Sequence, residues 1–76
     1  MEYIFVLEVE LKGNIFTFER KFYFSTFESA VKGFDQLQET DPSVELIGVG
    51  KAEVNSFNTD YTEYYTAKEI LKWGGY

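Results

Sequence analysis

Two alternating segments, residues 3–12 and 15–24, place the strongest constraint on how this chain can fold. Their sequences, YIFVLEVELK and IFTFERKFYF, carry an apolar or aromatic side chain at almost every second residue. That period is typical of β-strands with one buried face. Gly13 and Asn14, which lie between the segments, match a two-residue hairpin loop. The sequence therefore predicts a hairpin with one apolar, largely aromatic face that turns at these two residues.

The predicted loop also sets the register of the hairpin. Leu7 then lies opposite Arg20 on the apolar face, and Glu8 lies opposite Glu19 on the other face. Like charges directly opposite each other are destabilising. We therefore treat the glutamate pair either as a candidate cation site or as a solvated pair softened by two nearby lysines.

Arg20 interrupts the aromatic face of the second segment, and three interpretations of it stay open. Its stem can pack on Phe18 and Phe22 at the sheet edge while the guanidinium reaches water. It can pair with an acid such as Asp35 or Glu63. It can also line an exposed aromatic patch, a composition typical of interfaces.

Residues 27–37 change to the helical period. Ser25 and Glu28 match a capping box at the start of a helix, and the Asp-Pro pair at 41–42 predicts its end. Gly33 lies opposite the apolar stripe, where it either weakens the helix or marks a close approach to the backbone. The side chains of the stripe recur at three- and four-residue spacing: Phe27, Ala30, Val31, Phe34 and Leu37.

Residues 43–54 predict a third strand, but their pattern does not decide which of its two faces is buried. By strict alternation Leu46 and Val49 lie on opposite faces. A bulge at Gly48 would change which residues share a face.

Three further segments complete the predicted order of elements. Residues 55–58 predict a loop, and the tyrosines and threonines of 60–66 favour a fourth strand. A second capping-box pattern at 66–69 predicts a short final helix that stops before Gly74.

The order of elements predicts an α+β fold for residues 1–76 as a single compact domain. It is a ββαββ two-layer domain with one mainly antiparallel sheet, one helix across the aromatic face and a short C-terminal helix. Two strand orders fit. One is β-grasp-like, with the first and fourth strands central and parallel, and the other is antiparallel in the order 2-1-3-4. An aromatic content of 20% makes a compact core feasible in a chain without cysteine.

The chain lacks residue types on which several classes of enzyme and metal site usually depend. The chain has no histidine and no cysteine, which are the commonest general base, thiol nucleophile and soft metal ligand. Gly48 to Lys51 has the glycines and lysine of a phosphate-binding loop, but Ala52 replaces the serine or threonine that binds magnesium. We therefore expect no enzyme activity, no cofactor and no metal.

The chain also lacks the features of a membrane or exported protein. No run of about 18 apolar residues occurs, and residues 1–13 lack the basic start of a signal peptide. We expect a cytoplasmic protein, in the host cytoplasm if a phage encodes it.

The net charge of −6 is unevenly distributed along the chain. It disfavours direct nucleic-acid binding, which phosphate neutralisation drives. Residues 26–50 hold five acidic residues and one basic residue. This segment predicts either a solvated helix face or an acidic docking surface for a basic protein, in imitation of nucleic-acid phosphates. Its acids are Glu28, Asp35, Glu39, Asp41 and Glu45.

A second candidate partner-binding surface lies in the C-terminal segment. Tyrosines alternating with acids offer large, rigid contacts at a low entropy cost. The candidate residues are Tyr61, Glu63, Tyr64, Tyr65 and Trp73.

The hairpin also carries apolar side chains on its outer face. Ile4, Val6, Ile15 and Tyr23 alternate with the buried positions. An exposed apolar patch of this kind predicts a homodimer.

These observations favour a small acidic, non-enzymatic protein-binding domain. In size and charge it resembles the small acidic inhibitors and adaptors that phages and mobile elements encode to occlude host proteins. The first alternative is a homo-oligomeric structural or accessory protein. The second is a small carboxylate-dependent enzyme or cation binder.

Overall fold

The computed structural model describes residues 2–54 and 61–73, apart from the side chain of Trp73. The predicted ββαββ order with a short final helix is confirmed. The predicted loop at 55–58 and the helix stop at Gly74 lie outside the described residues. The elements are β1 (Tyr3–Lys12), β2 (Thr17–Phe24), α1 (Phe27–Thr40), β3 (Glu45–Glu53), β4 (Glu63–Thr66) and α2 (Ala67–Trp73).

The four strands form one antiparallel sheet in the order β2-β1-β3-β4. Of the two predicted strand orders, the antiparallel one is right, and the β-grasp-like order with β1 beside β4 is wrong. β1 uses one edge for β2 and the other for β3. Strand β4 then pairs with the strand that precedes it in sequence, which is the commoner connection.

The β1–β2 hairpin turns one residue later than predicted. The N–H of Gly13 donates to the carbonyl of Phe16 at 3.0 Å. The chain therefore reverses at Asn14 and Ile15, and the predicted reversal at Gly13-Asn14 is wrong.

The later turn moves every pairing of the hairpin by two residues. The predicted pairing of Leu7 with Arg20 is wrong, because Leu7 lies opposite Phe22 and Val9 lies opposite Arg20. Since side chains alternate with a period of two, a two-residue shift leaves each one on its predicted face. The aromatic face of β2 therefore still meets the apolar face of β1.

A β-bulge in β3 decides which of its side chains face the helix. Gly48 pairs with Glu8 and Leu46 pairs with Val9, so Ile47 is an extra residue. The extra residue interrupts the alternation. Leu46 and Val49 consequently both pack in the core.

Helix α1 begins one residue later than its predicted capping box. The hydroxyl oxygen of Thr26 accepts a hydrogen bond from the N–H of Ser29 at 3.1 Å, and the Thr26 backbone is extended. Thr26 is therefore the N-cap, and the prediction of Ser25 is wrong. The predicted end of the helix is confirmed, with Asp41 as the C-cap.

The core lies between the sheet and the two helices. Gly33 faces the sheet, so its predicted place opposite the apolar stripe is wrong: it sits against the Phe24 ring, whose Cζ would lie 2.4 Å from a Cβ at residue 33. The close-approach interpretation of this glycine is therefore confirmed. The second capping box is also confirmed, since Glu69 N–H donates to Thr66 Oγ1 at 3.3 Å. The core cluster comprises Leu7, Val9, Ala30, Val31, Phe34, Val44, Val49 and Ile70.

Neither helix within the described residues is both long and apolar enough to cross a membrane.

Candidate functional site

Four of the five predicted acids are exposed on α1 and at its C-cap. We call Glu28, Asp35, Glu39 and Asp41 the acidic helix face; all four side chains are exposed. Within the described part of the chain, no lysine or arginine lies within 4.0 Å of their carboxylates, because the ion pairs there are Lys12–Glu45 and Lys21–Glu8.

The helix itself disfavours Glu39, which lies in its last turn, and the pairing of Glu39 with Asp35. Asp35 and Glu39 are one turn apart in the second half of α1, and Asp41 is its C-cap. The C-terminal end of a helix carries partial negative charge, and like charges four residues apart repel. The last turn of α1 holds no basic residue. The arrangement therefore costs stability.

The Asp41 carboxylate is held by the residue that follows the proline. It accepts hydrogen bonds from the hydroxyl of Ser43 at 2.6 Å and from its backbone N–H at 3.1 Å. These two bonds, the hydroxyl first, lower the pKa of Asp41 from its usual value. Asp41 therefore stays ionised at neutral pH.

Glu45 does not belong to the acidic helix face. It pairs with Glu10 across the β1–β3 ladder, while the neighbouring pair of Leu46 and Val9 faces the core. Glu45 thus lies on the sheet face away from α1, where its carboxylate is 3.1 Å from the Lys12 ammonium. The predicted acidic surface ends at Asp41.

Glu8 organises the outer face of the sheet. Its two carboxylate oxygens accept hydrogen bonds from the hydroxyls of Tyr61 at 2.7 Å and Tyr64 at 2.8 Å. The two rings stack with their centroids 5.5 Å apart, and the Lys21 ammonium lies 3.7 Å from the same carboxylate. We call Glu8, Tyr61 and Tyr64 the Glu8–tyrosine cluster.

Two glycines of β3 make room for this cluster. A Cβ at Gly48 would lie 2.5 Å from the Tyr64 hydroxyl, and one at Gly50 would lie 2.5 Å from the Tyr61 ring. The glycines that resemble a phosphate-binding loop therefore receive tyrosine rings. Partial burial, followed by the hydrogen bond to Glu8, raises the pKa of both phenols. They remain protonated donors at neutral pH.

The other predicted residues of the tyrosine-rich surface lie elsewhere. Tyr65 lies 5.3 Å from the Phe27 ring, on the helix side of the sheet. Its hydroxyl donates to Glu63, and this hydrogen bond raises the pKa of Tyr65. Trp73 ends α2, and its side chain lies outside the described residues. The predicted tyrosine-rich set is thus divided between the two sheet faces.

The predicted glutamate pair does not form. Glu8 lies opposite Lys21, and Glu10 lies opposite Glu19. Within residues 2–54 and 61–73, no group of three or more acidic side chains has metal-binding geometry. Sequence reasoning missed Glu8 as a hydrogen-bond acceptor. Its signal was the Gly-x-Gly pattern in the neighbouring strand.

Arg20 lies on β2, with its guanidinium 5.7 Å from the centroid of the Phe22 ring. No ion pair joins it to Asp35 or Glu63, two of the described residues, so that interpretation is wrong. This contact with Phe22 supports the interpretation in which the Arg20 side chain packs on a ring at the sheet edge. Phe18 on the same face remains 43% exposed, which also supports the aromatic-patch interpretation.

The outer apolar patch of the hairpin is smaller than predicted. Val6 is only 4% exposed and lines a pocket together with Ile4, Tyr23 and Tyr61. Ile15 lies at the hairpin tip, apart from this pocket. These side chains do not form one contiguous exposed surface.

Comparisons with protein-family models, curated proteins and solved structures found no match to this chain.

Proposed function

We propose that this protein is a non-enzymatic protein-binding domain, an inhibitor or adaptor whose acidic helix face covers a basic surface of its partner. The observation that carries the proposal is the placement of Asp35 and Glu39 in the second half of α1 and of Asp41 at its C-cap. Glu39 and Asp41 oppose the helix dipole there. No lysine or arginine of the described residues lies within 4.0 Å of the three carboxylates, although Lys32 lies one turn before Asp35. The repulsion between Asp35 and Glu39 and the position of Glu39 in the last turn disfavour the free protein, and a partner that neutralises these two charges accounts for their placement.

The packing of α1 supports this role. Val31 and Phe34 are buried on its inner side, and the Phe24 ring packs against Gly33. The helix is therefore held firmly while its acids project into solvent. A rigid, pre-arranged surface loses little entropy on binding.

The alternative surface is less available for a partner. Tyr61 and Tyr64 direct their hydroxyls to Glu8, and Tyr65 bonds Glu63. A partner using those hydroxyls would have to break bonds that stabilise the protein. We therefore assign the partner to the acidic helix face and expect the protein to act in the cytoplasm.

The test compares two double charge reversals with equal change in net charge. D35K/E39K alters the acidic helix face, whereas the control E2K/E10K alters the outer sheet face. A partner is first isolated with the wild-type protein, and its association rate is then measured at several salt concentrations. We expect D35K/E39K to slow association by roughly tenfold or more and to remove most of its salt dependence.

The control variant separates docking from a general effect of charge. We expect E2K/E10K to change the rate much less, because its charges lie on the other side of the sheet. Equal slowing by both variants, or no slowing by D35K/E39K, would contradict docking through α1.

A further inference from the structure

β2 is an open edge of the sheet. It is eight residues long, its register with β1 has no bulge, and no described strand pairs with its far side. The other edge strand, β4, has only four residues. Long, regular edge strands without proline are templates for pairing with another strand.

The hydrogen bonds show which groups of β2 face outward. The N–H of Gly13 donates to the carbonyl of Phe16 between β1 and β2, and the N–H of Val54 donates to the carbonyl of Glu2 between β1 and β3. Because bonding alternates along antiparallel strands, odd residues of β1 bond to β2 and even residues bond to β3. The backbone N–H and C=O groups of the even-numbered residues of β2 therefore point toward β1. The outward-facing backbone groups of β2 belong to Thr17, Glu19, Lys21 and Tyr23.

The same strand carries exposed aromatic side chains. Phe16, just before β2, is 68% exposed, and Phe18 is 43% exposed. Their rings lie 6.3 Å apart beyond the part of β2 that α1 covers. Burial of such rings stabilises an interface. A strand laid along β2 would cover them.

We propose that β2 pairs with β2 of a second copy of this chain, antiparallel, about a twofold axis at Arg20. The segment Phe18-Glu19-Arg20-Lys21-Phe22 reads similarly in both directions. Glu19 of each copy then lies opposite Lys21 of the other copy, which gives two such pairs. Phe18 of each copy likewise lies opposite Phe22 of the other. Opposite charges and paired aromatic rings across strands are stabilising. The result is a continuous eight-stranded sheet.

One feature of this register opposes pairing. The two Arg20 side chains meet at the axis, although each guanidinium already lies over a Phe22 ring. A shift by two residues would instead put Lys21 opposite Lys21 and would lose both Glu19–Lys21 pairs. We therefore expect the Arg20 register and a weak dimer, with a dissociation constant of roughly 10–100 μM.

Amide hydrogen exchange tests the edge directly. The N–H groups of Glu19, Lys21 and Tyr23 should exchange fast in dilute protein and become protected as concentration rises. The N–H groups of Arg20 and Phe22 bond to β1 and should be protected throughout. Sedimentation velocity over the same concentrations should show a dimer. A monomer at every concentration overturns the proposal and leaves the edge to a strand of another protein.

A proline variant and its control locate the contact. Glu19→Pro removes an outward N–H that β1 does not use, and edge strands tolerate proline at such positions. We expect it to weaken dimerisation by roughly tenfold or more, while Glu19→Gln still dimerises. Undiminished dimerisation of folded Glu19→Pro would overturn pairing through β2.

A charge exchange tests the register. E19K alone places lysine opposite Lys21, and K21E alone places glutamate opposite Glu19, so each should be mainly monomeric. A mixture of the two restores both opposite-charge pairs and should form a heterodimer. Failure of two folded variants to associate when mixed overturns the Arg20 axis. If K21E does not fold, since Lys21 lies near Glu8, the proline variant decides.

Discussion

At the scale of single residues, Glu8 joins three other side chains on the outer sheet face. Its side chain is 14% exposed, and a carboxylate so far removed from water requires compensating partners. Two phenol hydroxyls and the Lys21 ammonium supply them. Glu8 is also the hydrogen-bond acceptor for both of these hydroxyls. The residue links β1 to the segment around β4.

Truncation of this side chain should therefore destabilise the protein. Glu8→Ala removes the acceptor of two hydroxyls, so we expect the free energy of unfolding to fall by roughly 2–3 kcal/mol. Urea denaturation measures the change. The control is Glu10→Ala on the same strand and face, next to Glu19 and Glu45. It relieves like-charge repulsion and should leave stability unchanged or slightly higher. Equal losses in both variants would contradict the role of Glu8.

The same contacts predict a pH dependence. The pKa of the Tyr61 and Tyr64 phenols is raised above the ordinary value of 10.0. Stabilisation by a group with a raised folded-state pKa is complete below the unfolded pKa and is lost as pH rises through the folded value. The protein should therefore lose stability above about pH 10. Absorbance titration of the phenolates, with unfolding measured in parallel, checks this.

A pair of variants assigns the titration to its causes. Glu8→Gln removes the charge next to Tyr61 and Tyr64 and should lower their pKa values without affecting Tyr65. Glu63→Gln should do the reverse, because Tyr65 bonds Glu63. Unchanged phenol titration in Glu8→Gln would show that the carboxylate does not hold these hydroxyls.

At the scale of elements, α1 combines a favourable start with an unfavourable end. Thr26 caps its N-terminus, and Glu28 lies in the first turn, where negative charge suits the dipole. Asp35, Glu39 and Asp41 lie toward the other end, where it does not. Packing of the apolar stripe against the sheet therefore holds the helix in spite of its C-terminal charges.

Charge reversal at the two ends of α1 should have opposite effects on stability. Glu39→Lys should raise the free energy of unfolding by about 0.3–1 kcal/mol, and Glu28→Lys should lower it by a similar amount. For a chain of this length 1 kcal/mol corresponds to a shift of about 4–8 °C in Tm. Thermal unfolding of both variants at low salt measures the shifts. Shifts of the same sign would contradict the dipole argument.

At the scale of the whole molecule, α2 completes the core. Ile70 is 0% exposed and packs in the same cluster as residues of β1, α1 and β3. The next residue, Leu71, is 59% exposed. A core in so small a chain depends on each element that covers it. The short final helix is thus part of the cooperative unit.

Adjacent substitutions in α2 test this dependence. Ile70→Ala should reduce the free energy of unfolding by roughly 2–5 kcal/mol, because it leaves a cavity in the core cluster. Leu71→Ala should change it by less than about 1 kcal/mol. Chemical denaturation followed by two independent probes measures both. A small effect of Ile70→Ala would show that α2 is dispensable for the core.

Local patterns in the sequence were sufficient for the order of elements and for the faces of β1, β2 and α1. The alternation in β1 and β2 and the stripe in α1 are repeated many times over neighbouring residues, so single errors do not change the outcome. The hairpin shows this well. Its turn moved by one residue and its register by two, yet Leu7 and Phe22 kept their predicted faces, because the period of a strand is two.

Only the tertiary structure decided which elements pair and what the outer side chains contact. The strand order, the bulge at Ile47 and the bond from Tyr61 to Glu8 join residues far apart in the chain; Tyr61 and Glu8 are separated by 53 positions. No local period records such contacts, since they follow from the packing of all elements at once. The exposed acids of α1 are local and were predictable, whereas the removal of Glu45 from their surface and the open edge of β2 follow from the register and the strand order.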